Sequence, residues 1–172
     1  NLFGVWTNRR NSIMGHVSHS QFVSYSECNL KWKLRYIDKL GTFTGNIHTL
    51  FGTAMHTTLQ TYLTEMYGKS IVAAESLDLD GMLKTEMVKE FTKIKNNQEV
   101  LPCTQEEMVE FYQDGLAILD HFRKHRGKYF MKKNYELVGI ELPIFMNLQE
   151  NVQLKSYLDV VIRNKISGKI TI

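Results

Sequence analysis

The sequence predicts an α/β chain of α+β character, in which N-terminal helices precede an antiparallel β-meander of a mixed sheet. Three observations carry this. Apolar residues recur at helical spacing through most of 18–130. From Tyr135 onward the pattern changes to runs rich in β-branched and aromatic residues. Only 2 prolines occur among 172 residues, and no low-complexity segment separates the two regions, so 1–172 is expected to be one domain with a real core.

Residues 1–17 have weak periodicity and are expected to form an arm or loop. "SQFVSYSECNLKWKLRY" (Ser20 to Tyr36) has helical spacing, with Ser20 as its N-cap. A glycine-bearing loop (Gly41 to Asn46) leads into a helix from about Leu50 to Tyr67. A charged helix is expected over Leu79 to Asn96. "TQEE" (Thr104 to Glu107) is a capping box opening a long helix that ends near Gly127. "YELVGIELPIFMNL" (Tyr135 to Leu148) and "VQLKSYLDVVIRN" (Val152 to Asn164) read as strands joined by a hairpin loop at "QEN". "KISG" makes the next turn and "KITI" begins a third strand. The chain does not begin with Met and ends within that strand, the pattern expected of part of something longer.

Composition narrows the function classes. No apolar run approaches the ~18 residues of a membrane helix, and "NLFGVWTNRR" lacks the order of regions found in a signal peptide. The 2 cysteines, Cys28 and Cys103, form no CxxC pair, which argues against a disulfide framework or zinc knuckle and for a reducing compartment. A net charge of +3 is compatible with a nucleic-acid partner without pointing to one.

Two polar residues stand out against apolar surroundings. On a helical wheel at ~100° per residue, Met55, Leu59, Tyr62, Leu63 and Met66 form a stripe that contains Gly52, where another element can approach. His56 falls at the edge of this stripe, and helix geometry alone leaves it either a half-buried histidine bonded to backbone or a ligand. Asp159 sits inside an apolar strand. Alternation groups it with Tyr157 and Val161, so it is either a solvated residue on an open sheet face or a carboxylate with a cation partner. Glu141, in the preceding strand, raises the same choice.

Three segments taken together resemble the RecB-like and Cas4-like branch of the PD-(D/E)XK nuclease superfamily. "SHSQFVSYSECNLKWKLRYIDKL" is similar to its opening motif, "FGTAMHTTL" to its Gly-x-x-x-His helix, and "GIELPIF" followed by "LKSYLDVVI" to its strand glutamate and Gly-x-x-Asp strand. Their order agrees over most of Ser18 to Ile172, though Asn29 stands where the family often has Pro and Ser156 where it often has Gly. The resemblance implies a restriction-endonuclease-like core and metal-dependent hydrolysis of DNA, as an exonuclease at ends or on single strands. The alternative is a non-catalytic nucleic-acid-binding or assembly module on a degenerate nuclease fold.

Carried over by residue, His56 and Asp159 become metal ligands, and Asp159, His56 and Glu141 the catalytic set. The metal expected is Mg²⁺ or Mn²⁺, with imidazole favouring Mn²⁺. The family's D/E-x-K motif would begin in the "KITI" strand, which places its lysine beyond Ile172. Cys28 matches the first iron–sulfur ligand of some relatives, but such a cluster needs four cysteines. No cluster is expected, and Cys28 is read as a small packed residue. DNA contacts are expected from Lys31, Lys33 and Arg35, and from Arg123, Lys124, Arg126 and Lys128, whose segments interleave cations with aromatic rings. A solvated helix end is the competing account of the second group. The resemblance further implies DNA and recombination or replication proteins as partners, no membrane, and the cytoplasm of a bacterial or phage-infected cell.

Overall fold

A computed structural model describes residues 15–40, 44–98, 101–149 and 152–172. In chain order, these form β1 (Gly15–Ser18), α1 (His19–Glu27), α2 (Asn29–Trp32), a π-helical turn (Lys33–Ile37), α3 (Ile47–Gly68), α4 (Ile71–Glu75), α5 (Leu79–Asn97), α6 (Gln105–Tyr129), β2 (Tyr135–Gln149), β3 (Val152–Asn164) and β4 (Ile170–Thr171). The strands take the order β1-β3-β2, with β4 on β3. β1 runs parallel to β3 and β4 antiparallel to it, so the sheet is mixed and the α/β class holds. The packing divides into two compact units, one of 1–42 with 141–158 and one of 43–140 with 159–172.

The second unit holds the apolar core. α3 buries a line spaced by four residues: Leu50, Ala54, Thr58, Tyr62 and Met66 are all 0% exposed. Residues four apart stack on one helix face, and α5 (Leu79, Leu83, Met87) and α6 (Leu119) close over this line. Thr58 joins because its hydroxyl donates to the Ala54 carbonyl at 2.9 Å, which removes the cost of burying it. The buried face is therefore turned from the expected stripe towards Leu50, Ala54 and Thr58. Gly52 is exposed, and a Cβ there would meet nothing within 4 Å, so it does not mediate a close approach. Gly115 on α6 does: a Cβ there would lie 2.5 Å from Leu83 Cδ2 and 3.1 Å from Phe51 Cε2.

Caps set the helix starts. Asn46 accepts from the Thr49 N–H at 3.0 Å, and Gln98 bonds both the N–H and carbonyl of Gly45, pinning the entry to α3. The Thr104–Glu107 capping box is formed as read from the sequence. α6 continues to Tyr129, and α4, too short to leave a periodic signal, is capped by Ser70.

The first unit is thinly packed. Among its described residues, Ser24 alone is buried, at 7% exposure. It contains β1, α1, α2 and the β1–β3 pairing, whose register sets Ser18 opposite Lys155. Two expectations change here. Residues 15–17 join a strand rather than the expected arm, because a parallel partner more than a hundred residues away leaves no local periodicity. The expected helix over 20–36 breaks at Cys28, whose backbone is extended (φ −161°, ψ 109°), and its N-cap is Ser18 rather than Ser20. Cys28 is exposed, not packed: its Sγ caps α2 by accepting from the Lys31 N–H at 3.4 Å. The "QEN" loop and Gly41 lie partly or wholly outside the described residues.

Gly115→Ala is expected to destabilise the protein by about 1–3 kcal/mol, because fully buried Leu83 has no room to yield. Gly52→Ala is expected to be neutral or to stabilise by up to ~1 kcal/mol. Urea unfolding of both variants against the parent checks the pair.

Candidate active site

Two anchored elements of the second unit bring His56 and Asp159 together. α3 is fixed through Leu50, Ala54 and Met55, which leaves His56 at the seam with 41% of its side chain exposed. β3 is fixed just beyond Asp159: Val160 packs on the helical core, and Val161 and Ile162 are 3% and 4% exposed. Asp159 is thus held at the last exposed position before a buried run, with its side chain 74% exposed. No desolvation cost attaches to its charge there.

His56 Nε2 and Asp159 Oδ2 lie 3.7 Å apart, too far for a direct hydrogen bond. The spacing suits two ligands of one ion. Two atoms each ~2.1 Å from a shared centre are ~3.0 Å apart at a right angle and ~4.2 Å apart in line. An imidazole nitrogen with a carboxylate oxygen is also a donor set that Mg²⁺ or Mn²⁺ accepts.

Gln60, one turn on, lies against the imidazole: its Nε2 is 3.2 Å from Nδ1 and 3.4 Å from Nε2, nearly equidistant from the two ring nitrogens. Gln60 was not singled out from the sequence; its i+4 spacing from His56 was the available signal.

Glu141 is exposed in β2, the first residue of the 141–158 segment, immediately after Ile140 of the second unit. Its φ is +50°, a left-handed conformation that costs a non-glycine residue roughly 1–2 kcal/mol. A residue held this way interrupts the strand's pleat and re-aims its side chain. Pro143 follows closely, tolerated because β2 ends the strand order.

The basic segments divide. Arg126 is turned inward: its Nη1 donates to the Tyr62 hydroxyl and the Glu75 carboxylate. Burial works against its charge, but these two bonds more than restore it, raising its pKa above the ordinary value. Burial, then the bond to Glu75, also pushes the Tyr62 hydroxyl up. Arg123 Nη2 donates to the Leu77 carbonyl at 3.1 Å. Arg126 thus holds the last residue of α4 and Arg123 the turn just after it, so both side chains fold back onto the protein instead of extending from the end of α6. Lys124 pairs with Asp120 at 2.6 Å, and Lys128 is exposed. In the first unit, Lys31, Lys33 and Arg35 are exposed, with Lys33 bonded to Asp38 and Arg35 over the Tyr36 ring.

Glu141→Gly is expected to be more stable than Glu141→Ala by about 1 kcal/mol, since both delete the side chain and glycine alone adopts φ +50° without strain. Thermal melts of the two variants measure this directly.

Comparisons with known proteins place the chain. Searches of curated proteins and of solved structures each return no match. The family model of the PD-(D/E)XK nuclease superfamily matches residues 16–172. Members of this superfamily use divalent metals and act on nucleic acid. No helix among the described residues is long and apolar enough to cross a membrane. With a family match over nearly its whole length, the chain belongs to the PD-(D/E)XK nuclease superfamily.

Proposed function

We propose that the chain is a metal-dependent DNA nuclease of the RecB/Cas4-like branch, an exonuclease acting at DNA ends or on single strands. The observation that carries this is the His56–Asp159 pair, 3.7 Å apart and open to solvent, on two elements that are each anchored in the core. His56 and Asp159 would hold a Mg²⁺ or Mn²⁺ ion, and Glu141, carried over from the family resemblance, would be the second carboxylate of the catalytic set. A bound divalent ion supplies polarisation of the phosphodiester and a lowered pKa for the attacking water.

The chain's own groups do the positioning. Asp159 contributes the negative charge and His56 the neutral nitrogen. The left-handed turn at Glu141 supports an active role for that carboxylate, since strain of this kind collects where a side chain must be aimed. Phage origin and partners among recombination or replication proteins follow from the same branch assignment and stand or fall with it.

Asp159→Asn and His56→Gln are each expected to lower the rate of DNA hydrolysis by roughly a hundredfold or more, the loss of a few kcal/mol of transition-state stabilisation. The assay uses the intact protein with Mn²⁺ or Mg²⁺ on end-labelled linear DNA, with covalently closed circles as the control. Chelation should abolish cleavage, and circles should survive. Full activity in Asp159→Asn, or linear DNA left intact by the parent, contradicts the proposal.

A further inference from the structure

Within the first unit, an open groove of about 320 Å³ lies between the start of α1 and β3, lined among others by His16, Ser20, Lys155 and Tyr157. Among the described residues no acidic residue lines it, and the first turn of α1 contains none. The positive end of that helix therefore acts with Lys155 and not against a carboxylate. Lys155 and Tyr157, two residues apart on β3, share a face of the sheet.

That face is unusual in what it leaves in water. The Lys155 Nζ stands 5.1 Å from the centre of the Tyr157 ring and 5.8 Å from that of Phe145. The Phe145 ring lies 6.4 Å from the His16 ring, across the sheet. Tyr157 is 47% exposed and Phe145 52%. Two aromatic rings thus flank one cation, beside a groove that no carboxylate of the described residues lines.

We infer that this groove binds a single-stranded polynucleotide, with a phosphate held at Lys155 and the start of α1 and a base stacked on Tyr157 or Phe145. Cation and helix end alone would serve any phosphate; the rings select. Bases in a duplex are already stacked on one another, whereas a single strand offers free π-faces to exposed aromatics. The inference rests on the nuclease proposal for its substrate class, but uses none of the residues assigned to hydrolysis. It also lies outside the two basic helical segments named from the sequence.

The test is fluorescence anisotropy of a labelled oligothymidylate with the intact protein in EDTA, so that no cleavage intrudes. Tyr157→Ala should weaken binding roughly tenfold or more, and Tyr157→Phe should restore it. Lys155→Gln should weaken binding and flatten the dependence of log K on log salt by about 0.7. A blunt duplex of equal length should bind less tightly than the single strand. Parental affinity in both Tyr157→Ala and Lys155→Gln, equal binding of the duplex, or full displacement by inorganic phosphate at matched ionic strength would each overturn the inference. Asp159→Asn separates the two proposals: the groove predicts unchanged oligonucleotide affinity, and the nuclease proposal predicts lost hydrolysis. Binding without hydrolysis in the parent would sink the second alone, and hydrolysis with unaltered affinity in the groove variants would sink the first alone.

Discussion

One helix face constrains much of what the second unit does. The line Leu50–Ala54–Thr58–Tyr62–Met66 is wholly buried, so α3 can neither rotate nor slide without exposing it. Side chains in such a core interdigitate at near-crystalline density, which makes the helix orientation a discrete choice. His56 inherits its direction from that choice. The line also carries the Tyr62 hydroxyl into the interior, where an unpaired O–H would be costly. Glu75 accepts that proton at 2.7 Å, and Arg126 answers the charge of Glu75. The basic run at the end of α6 is therefore partly an internal brace, placed there by the need to satisfy one buried tyrosine.

The site pair shows the same division between anchor and exposure. Val161 and Ile162 pay into the core while Asp159, just before them, stays in water. His56 stands opposite at the helix seam. Neither residue is strained or forced into an apolar pocket; what the fold provides is proximity without direct bonding, at 3.7 Å. Glu141 differs, since its backbone sits in a region that side chains disfavour. A strand that keeps such a residue at a carboxylate gives up stability locally, as sites that must aim a group often do.

How much of this was legible depended on the range of the signal. The capping box at Thr104, the two long strands and the seam position of His56 are written in local spacing and were read from it. The ordered motifs carried His56 and Asp159 further than periodicity could. What apolar spacing missed lies in particular contacts, some long-range and some local. β1 needs a parallel partner at Val152 to Lys155, and the break at Cys28 depends on a sulfur accepting a backbone N–H. The rotation of α3 towards Thr58 follows from a hydroxyl bonding back to its own helix, which let a polar residue join the core. Gly52 was credited with a close approach that Gly115 makes, since a glycine's lack of a side chain shows where space is permitted, not where it is used.

The most direct test of the central claim is pulsed electron paramagnetic resonance of the intact protein titrated with Mn²⁺, read for nitrogen modulation at the ion. A site built on His56 and Asp159 predicts one imidazole nitrogen coupled to bound Mn²⁺, lost in His56→Gln, and much weaker binding in Asp159→Asn. Bound Mn²⁺ with no nitrogen coupling in the parent, or coupling that survives His56→Gln, would contradict it.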